Sequence, residues 1–403
     1  MKQRGLVIVV ALLMLSLTLG AWAARRGQES APAPPTQQPT ASARFAFRGD
    51  AAEIPARFIG DLVLVPAHVN RSQPCLFELD STAAISTIDP ERAGELAIPN
   101  LRTPALNFSG VDILLGGLPE AAKKDFGAHV GRPYEGTVGN DVFGVSVIEV
   151  DYARQTVRFY DPATYKYSGR GTSLHLTFVG GMPVVRAKFV AIGGKSVEGD
   201  FVVNTALDAS LVISGKSAQT HHLLSSHAKV NPAADLELGG AADAVFERAK
   251  AFDMGPFHIE EPLAVFSRGS SPLYGNAALA GEIGGGILRR FTVVFDYPHQ
   301  RIILDSNSEF RTDDREDMSG ISLSAGGPGF KTLEVTQVQP GTPGADGGVL
   351  KGDIIAGIND EASADLTLEE VREMFRQVGH KYKLLVERNG KTINLAIQMR
   401  RLY

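Results

Sequence analysis

The feature that most constrains this chain is an internal repeat. Val147–Phe159 and Thr292–Leu304 each read as an apolar strand, an Asp-Tyr turn (Asp151-Tyr152, Asp296-Tyr297) and a second strand. Upstream, Gly136–Phe143 parallels Gly281–Leu288, with Val138-Gly139 matching Ile283-Gly284. Further upstream, Phe77-Glu78-Leu79-Asp80-Ser81-Thr82-Ala83 parallels Phe201-Val202-Val203-Asn204-Thr205-Ala206-Leu207. Three matches in one order indicate two homologous lobes, residues 44–165 and 166–310. Their short runs, alternating with period two and punctuated by turn residues, predict strands. Short helices are expected at Pro90–Leu96 and Lys216–Leu224. An all-β molecule built from two copies places its site at the junction, where the copies contribute equivalent groups.

Composition narrows the class further. Net charge is −5 without basic clusters, so nucleic acid is not an expected partner. The single cysteine, Cys75, excludes intramolecular disulfides and multi-thiolate metal sites; within Pro74-Cys75-Leu76-Phe77 it reads as a buried small hydrophobe. No cofactor is implied. Lys2 and Arg4 precede an apolar run, Gly5–Gly20, and Ala21-Trp22-Ala23 supplies a small-residue cleavage pattern, so residues 1–24 read as a signal peptide. Uncleaved, the segment is just long enough to anchor in a bilayer, the one case in which membrane contact is expected. Either way the rest is exported: periplasmic, secreted or tethered outside the cytoplasmic membrane. Residues 25–43, rich in Pro, Ala, Gln and Ser, read as a disordered linker.

Around Arg311–Ser319 the chain turns polar, and Asp313-Asp314 with Glu316-Asp317 reads as a solvated linker, lacking the glycine and spacing of an EF-hand loop. A third unit follows over 317–403. Leu333–Val338 alternates as a strand, Leu366–Gln377 carries Leu368, Val371, Met374 and Phe375 on one helical face, and Tyr382–Arg388 with Thr392–Gln398 forms a hairpin across Asn389-Gly390.

With Gly341-Thr342-Pro343 and Gly348-Val349-Leu350-Lys351-Gly352-Asp353-Ile354-Ile355, this unit resembles a PDZ domain. The repeat over 45–310 resembles the bacterial retropepsin-like aspartic protease family in its single-chain, two-lobe form. The expected fold is therefore mainly β: two aspartic-protease-like β-barrel lobes plus a C-terminal PDZ domain of α+β class. The first resemblance implies capture of a peptide as an added strand, its terminal carboxylate resting on backbone N–H groups of a glycine loop. Gly326–Phe330 is the candidate loop, with Gly327, Gly329, Phe330 and the following Leu333 as candidate peptide-binding residues.

The second resemblance implies two carboxylates, one per lobe, sharing a proton. Like charges that close cannot both ionise, so one carboxylate activates water while the neutral partner polarises the scissile carbonyl. The family triplet is Asp-Thr/Ser-Gly, and the hydroxyl residues bond across the lobe junction. Here the triplets are Asp80-Ser81-Thr82 and Asn204-Thr205-Ala206, so the candidate catalytic positions are Asp80, Asn204, Ser81 and Thr205. The second acid has become an amide, and neither glycine remains. Such a protein binds extended peptide or protein segments with a degenerate dyad and impaired proteolysis. Two alternatives stay open: an active endopeptidase pairing Asp80 with Asn204 or with the nearby Asp208, and a non-catalytic surface scaffold. His221, His222 and His227 do not converge on one helical face and are not read as a metal cluster.

Overall fold

The computed structural model describes residues 41–403 apart from 99, 124–125, 226–228, 232–243 and 268–278. The expected signal segment and most of the linker, as well as His227, lie outside the described residues. Among those residues, no helix is long and apolar enough to cross a membrane.

The molecule is mainly β, with barrel-like lobes and a separate C-terminal α+β unit. Regular structure begins at Ser42, inside the stretch read as linker to residue 43. Strand Ser42–Phe45 pairs with Val111–Leu114, because Ala43 and Phe45 alternate onto the edge of the core. Each lobe folds around its own sheet, and the two lobes share a third. There the hairpins Val147–Asp151/Thr156–Tyr160 and Phe291–Asp296/Arg301–Ser306 lie side by side, joined antiparallel. The register carries the repeat: passing from one copy to the other turns the pair Ile148–Phe295 into Val150–Val293, which is also a pair. Phe143 closes the centre, stacked on Tyr297 at 5.1 Å and edge-on to Phe295 at 5.5 Å, so one apolar core runs through both lobes. Cys75 is fully buried in it, and burial pushes its thiol up to about 11.

Asp314 and Glu316 correct the reading of a solvated linker, while Arg311, Thr312, Asp313 and Arg315 are exposed. Asp314 pairs with Arg290 at 2.9 Å, Glu316 pairs with Arg248 at 2.6 Å, and both acids are buried. Polar composition suggests solvent; the partners are arginines of the second lobe, Arg290 buried and Arg248 half-buried, distant in sequence.

The C-terminal unit has its own core and a sheet ordered Ile321–Gly326, Thr332–Val338, Ile354–Ile358, Lys381–Arg388, Lys391–Gln398. The last two strands turn at Asn389 and Gly390, both at positive φ (51° and 71°), as an Asn-Gly hairpin requires. Helix Leu368–Phe375 starts at a capping box, Thr367 with Glu370, and buries Leu368, Val371 and Phe375.

Candidate functional sites

The two repeated turns meet at the lobe junction. In the first lobe the parallel strands Pro74–Leu79 and Gly136–Val138 pair Leu79 with Val138, and the next residue, Asp80, donates its N–H to the Val138 carbonyl at 3.0 Å. In the second, Ser196–Val203 and Leu279–Ile283 pair Val203 with Ile283, and the Asn204 N–H reaches the Ile283 carbonyl at 2.9 Å. Gly139 and Gly284 cross behind these turns. A Cβ on Gly139 would fall 2.6 Å from the Ile85 carbonyl carbon, and one on Gly284 would fall 2.2 Å from the Ala209 oxygen; only glycine fits either crossing.

The hydroxyls then bond reciprocally. Ser81 N–H donates to Thr205 Oγ1 at 2.9 Å, and Thr205 N–H donates to Ser81 Oγ at 3.1 Å. Ser81 Oγ donates onward to the Val203 carbonyl at 2.7 Å, and Thr205 Oγ1 to that of Leu79. Asp80 and Asn204 therefore occupy equivalent places. Asp80 Oδ1 accepts from Thr82 N at 2.8 Å; Asn204 Oδ1 accepts from Ala206 N at 2.9 Å.

Their outer atoms differ. Asp80 Oδ2 lies 4.0 Å from the Lys123 ammonium, which also pairs with Glu78. Asn204 Nδ2 donates to Glu282 Oε2 at 2.7 Å. Glu78 and Glu282 are both buried. They sit on the same rung of the two lobes, opposite Thr137 and Val202 respectively, but on opposite strands of it. Sequence reading missed Glu78, Lys123 and Glu282. Alternation faces Glu78 outward on paper, and nothing local marks the other two. Tyr297, whose hydroxyl donates to the Ser81 carbonyl at 3.2 Å, closes the junction; burial pushes its phenol far upward.

Asp208 is not at this junction grip. Its Oδ1 accepts the Asp61 N–H at 3.1 Å, and it lines a cavity of about 520 Å³ between the lobes and the C-terminal unit. Asp61 is buried beside it. Burial and then the Asp208 charge push its carboxyl up to about 6, although Arg289 lies 3.8 Å away.

On the C-terminal unit the structure moves the candidate groove. Gly327, Gly329 and Phe330 form the turn of the hairpin Ile321–Gly326/Thr332–Val338, and Leu333 is fully buried in the core. Glycine and aromatic content marked a tight turn, and turns and carboxylate loops share that composition. The edge strand Ile321–Gly326 and helix Leu368–Phe375 line the cavity instead, through Ile321, Leu323, Arg372 and Phe375.

Residues 334–388 match the family model of the PDZ domain. Among solved structures, the chain is similar to an aspartic proteinase from Irpex lacteus, at 11% identity over 65% of this chain and 98% of that one, with a TM-score of 0.45. It is also similar to a photosystem II D1 C-terminal processing protease, at 20% identity over 22% of this chain and 24% of that one, with a TM-score of 0.20; the chain thus spans less than a quarter of that protease. No curated protein matches the sequence. The family match and the groove geometry agree that the C-terminal unit is a PDZ domain.

Proposed function

We propose that this is an exported peptide-binding protein of aspartic-protease-like build, which holds extended segments at the lobe junction with little or no hydrolysis and a further segment on its PDZ domain. The observation that carries this reading is the amide of Asn204. It stands where the two-carboxylate mechanism needs an acid, and its nitrogen is already committed to Glu282. An amide neither ionises nor passes on a proton, so the Asp80–Asn204 pair cannot alternate one proton between two oxygens. What the junction retains is the scaffold: paired turns, reciprocal hydroxyls and one of the two expected acids, Asp80.

The test is a cleavage assay with generic peptides between about pH 3 and 7, where split carboxylates operate. Slow or absent cleavage is expected, together with peptide binding. Asn204→Asp alone should restore weak activity at most. Thr82 and Ala206 stand where the family uses glycine, and Glu282 already lies against the new acid. Robust, pepstatin-sensitive cleavage by the unaltered protein, abolished by Asp80→Asn, would overturn the reading.

A further inference from the structure

The PDZ groove is obstructed at both ends by the chain itself. At the end where the edge strand begins, Ser319 N–H and Gly320 N–H both donate to the Asp317 carboxylate, at 2.9 and 2.6 Å, and Ile321 N–H donates to Ser319 Oγ at 3.0 Å. These donors open the strand, and each already has its acceptor, so a terminal carboxylate finds no free cradle there. At the far end, helix Phe126–Val130 of the first lobe packs along the edge strand. The chain leaving that helix is so close that a Cβ on Gly131 would lie 3.1 Å from Leu368 and 3.8 Å from Ala325.

Between these obstructions the Ile321–Ser324 stretch of the edge strand faces the cavity, walled opposite by Asp208–Ser210 and Phe246 of the second lobe. Three arginines line this space, together with Asp61, Asp208, Asp314, Glu316 and Asp317; of these acids Asp314 pairs with Arg290, Glu316 with Arg248 and Asp317 with the backbone N–H groups of Ser319 and Gly320. Arg315 donates to Glu309 at 2.9 Å and Arg376 to Glu373 at 2.6 Å. Arg372, on the groove helix, makes no hydrogen bond or ion pair among the described residues. Asp208, Asp317 and Glu369 attract it only from beyond ion-pair distance. A half-buried guanidinium with five donors and no acceptor is set to receive a carboxylate in a bidentate pair.

We infer that this cavity binds an internal acidic segment: an Asp or Glu side chain of a peptide laid along Ile321–Ser324 delivers its carboxylate to Arg372, and the peptide's own terminus takes no part. The inference rests on the PDZ domain being a peptide-binding unit. It differs from the sequence-based expectation in the group that is read.

The experiment uses the full chain and fluorescein-labelled octapeptides of alanine, serine and leucine carrying one central Glu, each made as free acid and as C-terminal amide, with Gln counterparts, and reads anisotropy. The Glu peptides should bind about ten- to a hundredfold more tightly than the Gln peptides, the range of a charge-assisted hydrogen bond, and amidation should change nothing. Arg372→Ala, with an unchanged melt, should erase the Glu-over-Gln preference, and Arg372→Lys should keep part of it. Binding that requires a free terminus would overturn the inference, as would a preference that survives Arg372→Ala. Binding without any Glu preference would overturn this inference alone; failure to bind any peptide would overturn the peptide-binding reading along with it.

Discussion

Thr205 and Ser81 each serve two partners, and this makes them the most sensitive small side chains at the junction. Thr205→Ala would strip the acceptor from the buried Ser81 N–H and the donor from the Leu79 carbonyl. A buried polar group left without a partner costs about 1–3 kcal/mol. The variant should show that loss in a denaturant melt, while Thr205→Ser keeps most of the stability. Asn204→Asp has a different signature. It sets a second carboxyl against buried Glu282, so one of the two must hold a proton in the folded protein that the unfolded chain releases. The folded pair's affinity for that proton is raised, so stability relative to the unaltered protein should fall as pH rises from about 4 to 7, by about 1.4 kcal/mol for each unit by which the pair's pKa is raised. Melts at both ends of that window check it; a difference independent of pH would show that the new acid does not face Glu282.

Among the elements, the crossing glycines separate necessity from habit. Gly284→Ala would drive a Cβ into the Ala209 carbonyl, which is backbone and cannot swing aside, whereas Gly326→Ala meets nothing within 4 Å. The first should cost about 2–3 kcal/mol and the second under about 0.5 kcal/mol, compared by urea midpoints. These turns were legible in the sequence because the repeat places Gly139 and Gly284 at matching points, and the hairpin at Asn389-Gly390 was legible because its chemistry is local. The PDZ groove was not. Its walls come from an edge strand and a helix brought together by the sheet order, and Gly326–Phe330 offered the same composition with a different role. Asp314 and Glu316 escaped the sequence reading for a related reason: charge is local, but their partners Arg290 and Arg248 come from the second lobe.

At the scale of the whole molecule, Asp61 ties pH to the meeting of lobes and PDZ domain. Its carboxyl, ordinarily near 3.8, is pushed to about 6 by burial and by Asp208, with Arg289 opposing. The folded state therefore binds its proton more tightly than the unfolded chain. This favours folding below about 3.8, and the advantage is lost as pH climbs to about 6. A gap of that size corresponds to about 3 kcal/mol. Asp61→Asn should leave the melt at pH 4 nearly unchanged and raise it at pH 7 to 8; equal effects at both would count against the assignment. The overall plan was readable from the repeat, but its charged rung was not, and that rung sets the two halves apart. Glu78 sits on one strand of its rung, and Glu282 sits on the other strand of the matching rung. The two halves of the repeat are thus not interchangeable at this rung. A homodimer of the first lobe would double Asp80, Lys123 and Glu78 and lose both Asn204 and the Glu282 that holds it, so a symmetric junction lies more than one substitution away.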